Sequence, residues 1–433
     1  MQGKSMLGGI LIAGASTVQA QPLACNDRWH ASSLNGVNGT VYAMVSWDSD
    51  GPGPLPPQVV VGGNFTSSVG VQLNGIGLLF PFGWPGWTAL GSGVSGHAAA
   101  SVYSLAVLPN NNLVAGGDFT TAGGNPANFI AVWNGSSWSN LLEGVNSTVK
   151  SLAVMSDGTL AAGGAFTLAG TVGVERMAHY FGPATGWGAI GAGSAYPVTA
   201  LLALPNTNLI AGSSGVGPTF DHLTRWDGVS WAPVGTGIGA DVRAVVAMPN
   251  GDVVAGGAFT EAGGVPANYI ARWNGTSWSP LSTGMNDAVN ALAVLPNGEL
   301  VAGGHFTTAG GIPVGHIALW DGSTWTSLGK GVNNTVHAMA VVPPGNLSVG
   351  GSFTEAGGQA TSGVATWARP IRCYANCDCS ISLPVLNASD FQCWINTFAA
   401  GSSYANCDGS TGTPALTAND FMCFMNKYAA GCS

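Results

Sequence analysis

The chain alternates short apolar runs with glycine-rich breaks, and the same arrangement returns many times. Between Val289 and Gly331 the run VNALAVLP leads to Pro296-Asn297-Gly298, a turn in which Asn and Gly tolerate positive φ. A second run, ELVAGG, passes into the loop FTTAGGIPVG, whose glycine pair and proline forbid regular structure. HIALW is a third run, Asp321-Gly322 a second tight turn, and TWTSLG a fourth run. Runs this short, bounded by turn signals, predict four strands. The core of the pattern recurs as VVGGNF, VAGGDF, AAGGAF, IAGSSG, VAGGAF, VAGGHF and SVGGSF. Its leading glycines are Gly62, Gly116, Gly163, Gly212, Gly256, Gly303 and Gly350, with spacings of 54, 47, 49, 44, 47 and 47 residues. Seven copies of a four-stranded unit of this period predict an all-β, seven-bladed β-propeller over residues 25–370.

The small Ala-Gly-Gly residues let backbones approach near a crowded axis. The wide end of each wedge needs bulk, and tryptophans five apart supply it: Trp133/Trp138, Trp226/Trp231, Trp273/Trp278 and Trp320/Trp325. They could instead form a carbohydrate-stacking platform, but repetition at one place in the unit favours packing. In copy three, Phe181 and Trp187 take the two aromatic places. Copy seven stops after VATW at Trp367 and lacks its fourth run. CNDRWHASSLNGVNGTV near the start matches DGSTWTSLGKGVNNTV, with Trp29 where Trp325 stands. The N-terminal segment therefore supplies the missing strand and closes the ring, which removes a sheet edge. Cys25 and Cys373 flank the gap where a turn would be, so a Cys25–Cys373 disulfide is expected as its covalent substitute.

Strand, turn, a strand ending in Gly-Gly, then a strand ending in an aromatic, a turn and W..L is similar to the kelch repeat. The residue-level match is loose, since kelch units usually carry Tyr where Trp273 and Trp320 stand. The resemblance implies a seven-bladed propeller and no single function.

Composition narrows the class. Of 433 residues 67 are glycine, 46% are apolar and 7% are charged, which excludes a disordered chain. The net charge is −9, with 11 Lys+Arg and no basic run, so no nucleic-acid partner is expected. Residues 1–20 read as a signal peptide cut after Ala20, with a buried first strand as the alternative. No later apolar run reaches the ~18 residues of a spanning helix, so no transmembrane segment is expected. The mature chain is expected to be secreted and extracellular. Seven of the eight cysteines fall in the last 61 residues, so residues 373–433 form a different kind of domain.

That tail holds two aligned segments, YANCDCSISLPVLNASDFQCWINTFAAG and YANCDGSTGTPALTANDFMCFMNKYAAG. Asn376, Asp378, Ser380 and Asp390 repeat as Asn406, Asp408, Ser410 and Asp420. Oxygens at alternate positions, followed by a carboxylate entering a helix, follow the logic of a calcium loop. The alternative is a plain Asx turn stapled by disulfides. The tail resembles a bacterial dockerin of the kind ending in Gly-Cys, here Gly431-Cys432. The resemblance implies a small α-helical domain of two repeats, calcium as cofactor, and attachment to a cohesin-like protein or cell-envelope component at the cell surface. The loop from Asn376 to Asp390 is longer than an EF-hand loop and opens on Asn rather than Asp. Symmetry suggests Cys377–Cys393 and Cys407–Cys423, with Cys379–Cys432 tying the halves, although sequence leaves connectivity open. A zinc reading of these cysteines is disfavoured by export and by the lack of histidine in the tail.

Catalytic signals are sparse. A copper-radical site of the galactose oxidase kind needs a cysteine within the propeller, and none lies between Cys25 and Cys373. His30, His97, His179, His222, His305, His316 and His337 are scattered without ligand spacing and read as fillers. Glu261 and Glu355 share one slot in their copies and read as loop-solubilising groups. The least repetitive segments are TVGVERMAHYF and GVGPTFDHLTRW. Neighbouring blades would put both on one rim, so Glu175, Arg176, His179, Tyr180, Asp221, His222 and Arg225 form the candidate ligand patch. The functional reading is a non-catalytic propeller displaying loops for protein or glycan ligands. The alternatives are a dockerin-borne glycoside hydrolase or lyase and a purely structural surface protein.

Overall fold

The computed structural model describes residues 28–30, 36–51, 56–80, 86–215, 222–343 and 345–368. Asp221, the signal peptide, the Cys25–Cys373 bridge and the whole tail, with its calcium ligands and three further disulfides, lie outside the described residues. The described residues belong to one compact unit, Asp27–Arg369.

Among the described residues the regular structure is all strand, and it forms a propeller-like set of seven four-stranded antiparallel sheets. The sixth is typical: Val289–Val294, Leu300–Gly304, Ile317–Trp320 and Trp325–Ser327, paired in chain order. In the seventh, Val336–Val342, Asn346–Gly351 and Val364–Ala368 are followed by Arg28–His30 from the other end of the chain. Trp29 stands opposite Trp367 in that ladder, as the Trp29–Trp325 correspondence predicted. Each first strand packs beside the first strand of the next sheet, and Val336–Val342 packs beside Val41–Trp47.

The repeated Gly-Gly has a separate cause at each position. A Cβ on the leading glycine, from Gly62 to Gly350, would lie within 3.0 Å of a valine opening the next sheet, as Gly116 does against Val149. These glycines set the distance between sheets. The second glycine faces a carbonyl of its own sheet: a Cβ on Gly257 would collide with the Asp241 oxygen, and one on Gly117 with that of Ser101. The carbonyl lies there because each first strand carries a β-bulge beside the glycine pair, as between Val242 and Ala244. In the fourth sheet Ser213 occupies this place and turns its hydroxyl to His222.

The outer strands lock each sheet to its predecessor. The indole N–H of Trp138 donates to the Leu90 carbonyl at 2.7 Å, Trp278 to Val234 at 3.0 Å and Trp325 to Leu281 at 3.0 Å. Trp29 does the same to Leu328 at 2.7 Å. Their rings are buried, and Trp133/Trp138 and Trp320/Trp325 meet at 5.5 and 5.2 Å. Packing, not an open stacking platform, therefore accounts for Trp133, Trp138, Trp278 and Trp325, whereas Trp226, Trp231, Trp273 and Trp320 are half-buried. In copy three the inner aromatic is Tyr180, not Phe181. Tyr180 pairs with Trp187 in register and meets it at 5.1 Å, whereas Phe181 falls one residue past the strand and is exposed. The Asn-Gly and Asp-Gly turns form as predicted. Asp321 accepts from the amides of Ser323 and Thr324 at 2.8 Å each, with Gly322 at φ +102°. Those amides hold the Asp321 carboxyl far below the usual carboxylate range.

A second clamp went unnoticed in the sequence. The asparagine of each GVN or GMN accepts from two amides of the following FT loop, as Asn286 does from Thr307 and Thr308 at 2.8 and 2.9 Å. Asn38, Asn146 and Asn333 repeat this, so the loop backbone is fixed at the end of the sheet where each first strand begins.

Candidate functional site

The bulges decide what faces the centre. The residue left unpaired in each first strand is Tyr42, Tyr103, Lys150, Thr199, Arg243, Asn290 or His337. A bulge re-aims its extra side chain. These equivalent positions follow the opening valine, at the loop end of the sheets. Five of them, Tyr42, Tyr103, Thr199, Arg243 and His337, line a cavity of about 220 Å³. Beneath them come the small Ala43, Ser104, Ser151, Ala200, Ala244, Ala291 and Ala338, then Met44, Leu105, Leu201, Val245, Leu292 and Met339. The cavity is thus lined by polar side chains at its mouth and by small residues below them, and most of the surface it exposes is polar.

The mouth residues hold one another. Tyr42 and Tyr103 meet at 5.2 Å, and the Lys150 ammonium lies 3.4 Å from the Tyr103 ring centroid, a cation–π contact. Burial lowers the pKa of Lys150, and the Asp118 charge opposes that. Among the described residues no carboxylate pairs with Lys150; Asp118 is bound to His97 Nδ1 at 2.6 Å. Arg243 donates to Asn290 Oδ1 at 2.9 Å and stands 3.9 Å from Asp241. His337 shares a 2.9 Å bond with Ser352 and meets the rings of Tyr42 at 5.6 Å and His305 at 6.2 Å edge-on.

Burial, then the nearby His305 and Arg243 charges, hold the His337 imidazole down to about 4. An unfolded histidine titrates near 6.5. Between these values the unfolded chain takes a proton that the native state refuses. Stability therefore falls as pH drops through this window and levels off below about 4, by up to about 3 kcal/mol for this group. Burial shifts His179 and His316 the same way. Urea midpoints at about pH 7 and pH 4.5 check this: His337→Gln should lose less stability on acidification than the native chain. An equal loss would mean that His337 is not held neutral.

The structure does not bring the six described residues of the predicted rim patch together. Exposed Glu175 lies at the loop end, where its carbonyl accepts from Ser194 at 2.8 Å. Arg176, at φ +66°, donates to the Ala165 carbonyl at 3.0 Å. His222 also lies at the loop end, fully buried and stacked on Tyr196 at 4.8 Å. His179, Tyr180 and Arg225 stand opposite Ala161, Leu160 and Ile210, near the other end of their sheets. There Thr159 joins His179 to Asp157. Strand length separates the groups: residues adjacent in sequence run from one end of a sheet to the other. The mouth was missed for the opposite reason, since its members lie in seven different copies. A signal was available in VYAM, VYSL, VKSL, VTAL, VRAV, VNAL and VHAM, where the second position changes nearly every time while the first stays Val, the third Ala or Ser and the fourth apolar.

Among the described residues no cluster of three or more His, Cys, Asp or Glu could hold a metal ion, and no helix is long and apolar enough to cross a membrane.

Comparison with known proteins bears on the fold. A family description, the Rax2 C-terminal beta propeller domain, matches residues 88–248, and a beta-propeller domain of unknown function, DUF5122, matches residues 249–276. No curated protein matches the chain. Among solved structures, the extracellular domain of BT4673 from B. thetaiotaomicron superposes with a TM-score of 0.52 at 12% identity over 78% of this chain. The chain spans only 39% of that structure's length. The WD40 repeats of RRP9 give 0.52 at 13% identity, covering 80% of this chain and 98% of theirs. YCF48, solved bound to D1 peptide, gives 0.50 at 13% identity, covering 78% and 96%. With the sheets described above, these likenesses show that the described part of the chain has a β-propeller fold.

Proposed function

We propose that the chain is an exported binding protein: a closed seven-bladed propeller that holds its ligand at the loop-end mouth of the ring. The observation that carries this reading is the set of bulged positions, which put two tyrosines, a threonine, an arginine and a histidine around one cavity, with Lys150 on the ring of one of those tyrosines. Ligand sites are usually concave, with a few convergent polar groups that fix the ligand's orientation. A propeller neighbour was solved bound to a peptide, which supports ligand binding as a role for this fold. The tail serves attachment in this reading. Its paired Asn-Cys-Asp segments bind calcium and dock a cohesin-like or cell-envelope partner, and its disulfides and Cys25–Cys373 suit an extracellular setting.

Screening the full chain against peptide and oligosaccharide arrays tests the mouth. Captured ligands should bind Tyr42→Ala/Tyr103→Ala about tenfold or more weakly, because ring contacts of this kind are worth ~0.5–1.5 kcal/mol each beyond their buried area. Both rings are half-exposed, so melting should change little. Undiminished binding by the double variant would place the site elsewhere.

A further inference from the structure

We infer that the mouth takes one neutral sugar ring, the end of a glycan, with its C–H groups against an arc formed by His337, Tyr42 and Tyr103 and its hydroxyls on the surrounding polar groups. This rests on the mouth being the ligand site. The arc comes from the seventh, first and second sheets, at the same bulged position in each. Tyr42 meets His337 at 5.6 Å and 62°, and Tyr103 at 5.2 Å and 41°. Neither pair is parallel, so the arc is a curved surface and not a slot for a flat base. All three rings are half-buried, and the negative face of a tyrosine ring attracts the slightly positive C–H groups of a puckered sugar.

The surroundings disfavour a charged ligand. Lys150 lies on the Tyr103 ring at 3.4 Å with the Asp118 charge beside it, and Arg243 donates to Asn290 at 2.9 Å and stands 3.9 Å from Asp241. Two cations thus face two carboxylates, and burial keeps His337 neutral near pH 7. An apolar ligand is disfavoured too, because most of the exposed cavity surface is polar and would lose its water without a new partner. Sugar hydroxyls supply that partner. The Tyr103 hydroxyl bonds to no other described residue, and the Tyr42 hydroxyl, which accepts from Asn64 at 3.4 Å, still has its proton to give. A volume of about 220 Å³ equals roughly seven water molecules at ~30 Å³ each, room for one sugar ring and not two. The lining is also held in place before any ligand arrives: Thr199 donates to the Val242 carbonyl, Arg243 to Asn290, and Asn290 to the Val336 carbonyl at 3.2 Å. Little side-chain freedom remains to be lost on binding.

Saturation-transfer NMR and calorimetry on the full chain test this, with galactobiose, cellobiose, mannobiose and diacetylchitobiose as neutral probes. Digalacturonate, adenosine and acetyl-Gly-Gly-Asn amide are the comparisons. At least one neutral disaccharide should bind about tenfold or more tightly than every comparison, with saturation concentrated on one terminal ring. Tyr42→Ala should weaken that binding about tenfold, and Tyr42→Phe clearly less, because the phenyl ring keeps the face contact. Raising salt from about 50 to about 500 mM should leave the affinity within about twofold, since no ion pair forms. Preference for digalacturonate, adenosine or the peptide amide overturns the inference, as does a steep loss of sugar binding with salt. If no sugar binds while array ligands still depend on Tyr42 and Tyr103, the sugar inference fails and the mouth stands. If a sugar binds but ignores both tyrosines, the mouth is refuted as its site and the inference falls with it.

Discussion

Gly257→Ala should destabilise the protein by about 3 kcal/mol or more, although it adds one methyl group. The new Cβ would collide with the Asp241 carbonyl oxygen and come within 3.0 Å of Val242 Cα, both of them backbone. No side-chain rotation can relieve that, so the bulge must move. The bulge also carries Arg243, and relief of the collision would shift this residue out of the mouth. Gly264→Ala is the control. Gly264 has φ +77° but nothing within 4 Å of its Cβ position, so it should cost only ~1 kcal/mol for the left-handed backbone. Ser213 shows that one sheet tolerates a side chain at the equivalent place, where the following connection differs and His222 takes up the hydroxyl. Urea denaturation of both variants decides the matter. A Gly257→Ala loss no larger than that of Gly264→Ala would mean that the glycine pair does not shape the bulge.

Trp29→Ala should cost about 4 kcal/mol, within the usual range for a buried tryptophan cut to alanine. Its indole bond to Leu328 copies that of Trp325 to Leu281, and its ring lies against Gly357 as Trp325 lies against Gly310. The outcome should nevertheless differ from that of Trp325→Ala. Trp325 sits on a strand joined by a tight turn, whereas Trp29 anchors a three-residue strand contributed from the far end of the sequence. Loss of Trp29 should release that strand and expose Trp367, which is now 1% exposed. Denaturant unfolding with tryptophan fluorescence reads both effects. Equal, purely additive losses for the two variants would argue that the N-terminal strand adds no closing role.

Much of this architecture was legible in the sequence because each unit must solve the same packing problem. Glycine pairs mark where neighbouring sheets and the bulge carbonyl crowd the chain, Asn-Gly and Asp-Gly mark turns needing positive φ, and the second tryptophan marks the lock onto the preceding sheet. Even the borrowed strand could be read, since Trp29 carries the neighbourhood of Trp325. The slip between Phe181 and Tyr180 arose where the turn is longer, in GPATGWG, and spacing alone no longer fixes the register. The mouth was illegible for a deeper reason. Repetition reveals what the units share, but the mouth at the centre is built from the position in which they differ. Only the bulge geometry shows that Tyr42, Lys150 and Arg243 occupy one place.

A single mouth exists only if the first and last sheets meet and Arg28–His30 completes the seventh. Native-state amide hydrogen exchange, resolved along the chain, tests this most directly. A closed ring predicts that the amides of Arg28–His30 are protected together with those of Val364–Ala368, and as strongly as those of Ile317–Trp320. Exchange of Arg28–His30 at the rate of an unpaired segment, while Ile317–Trp320 stays protected, would contradict the closed ring and the shared mouth with it.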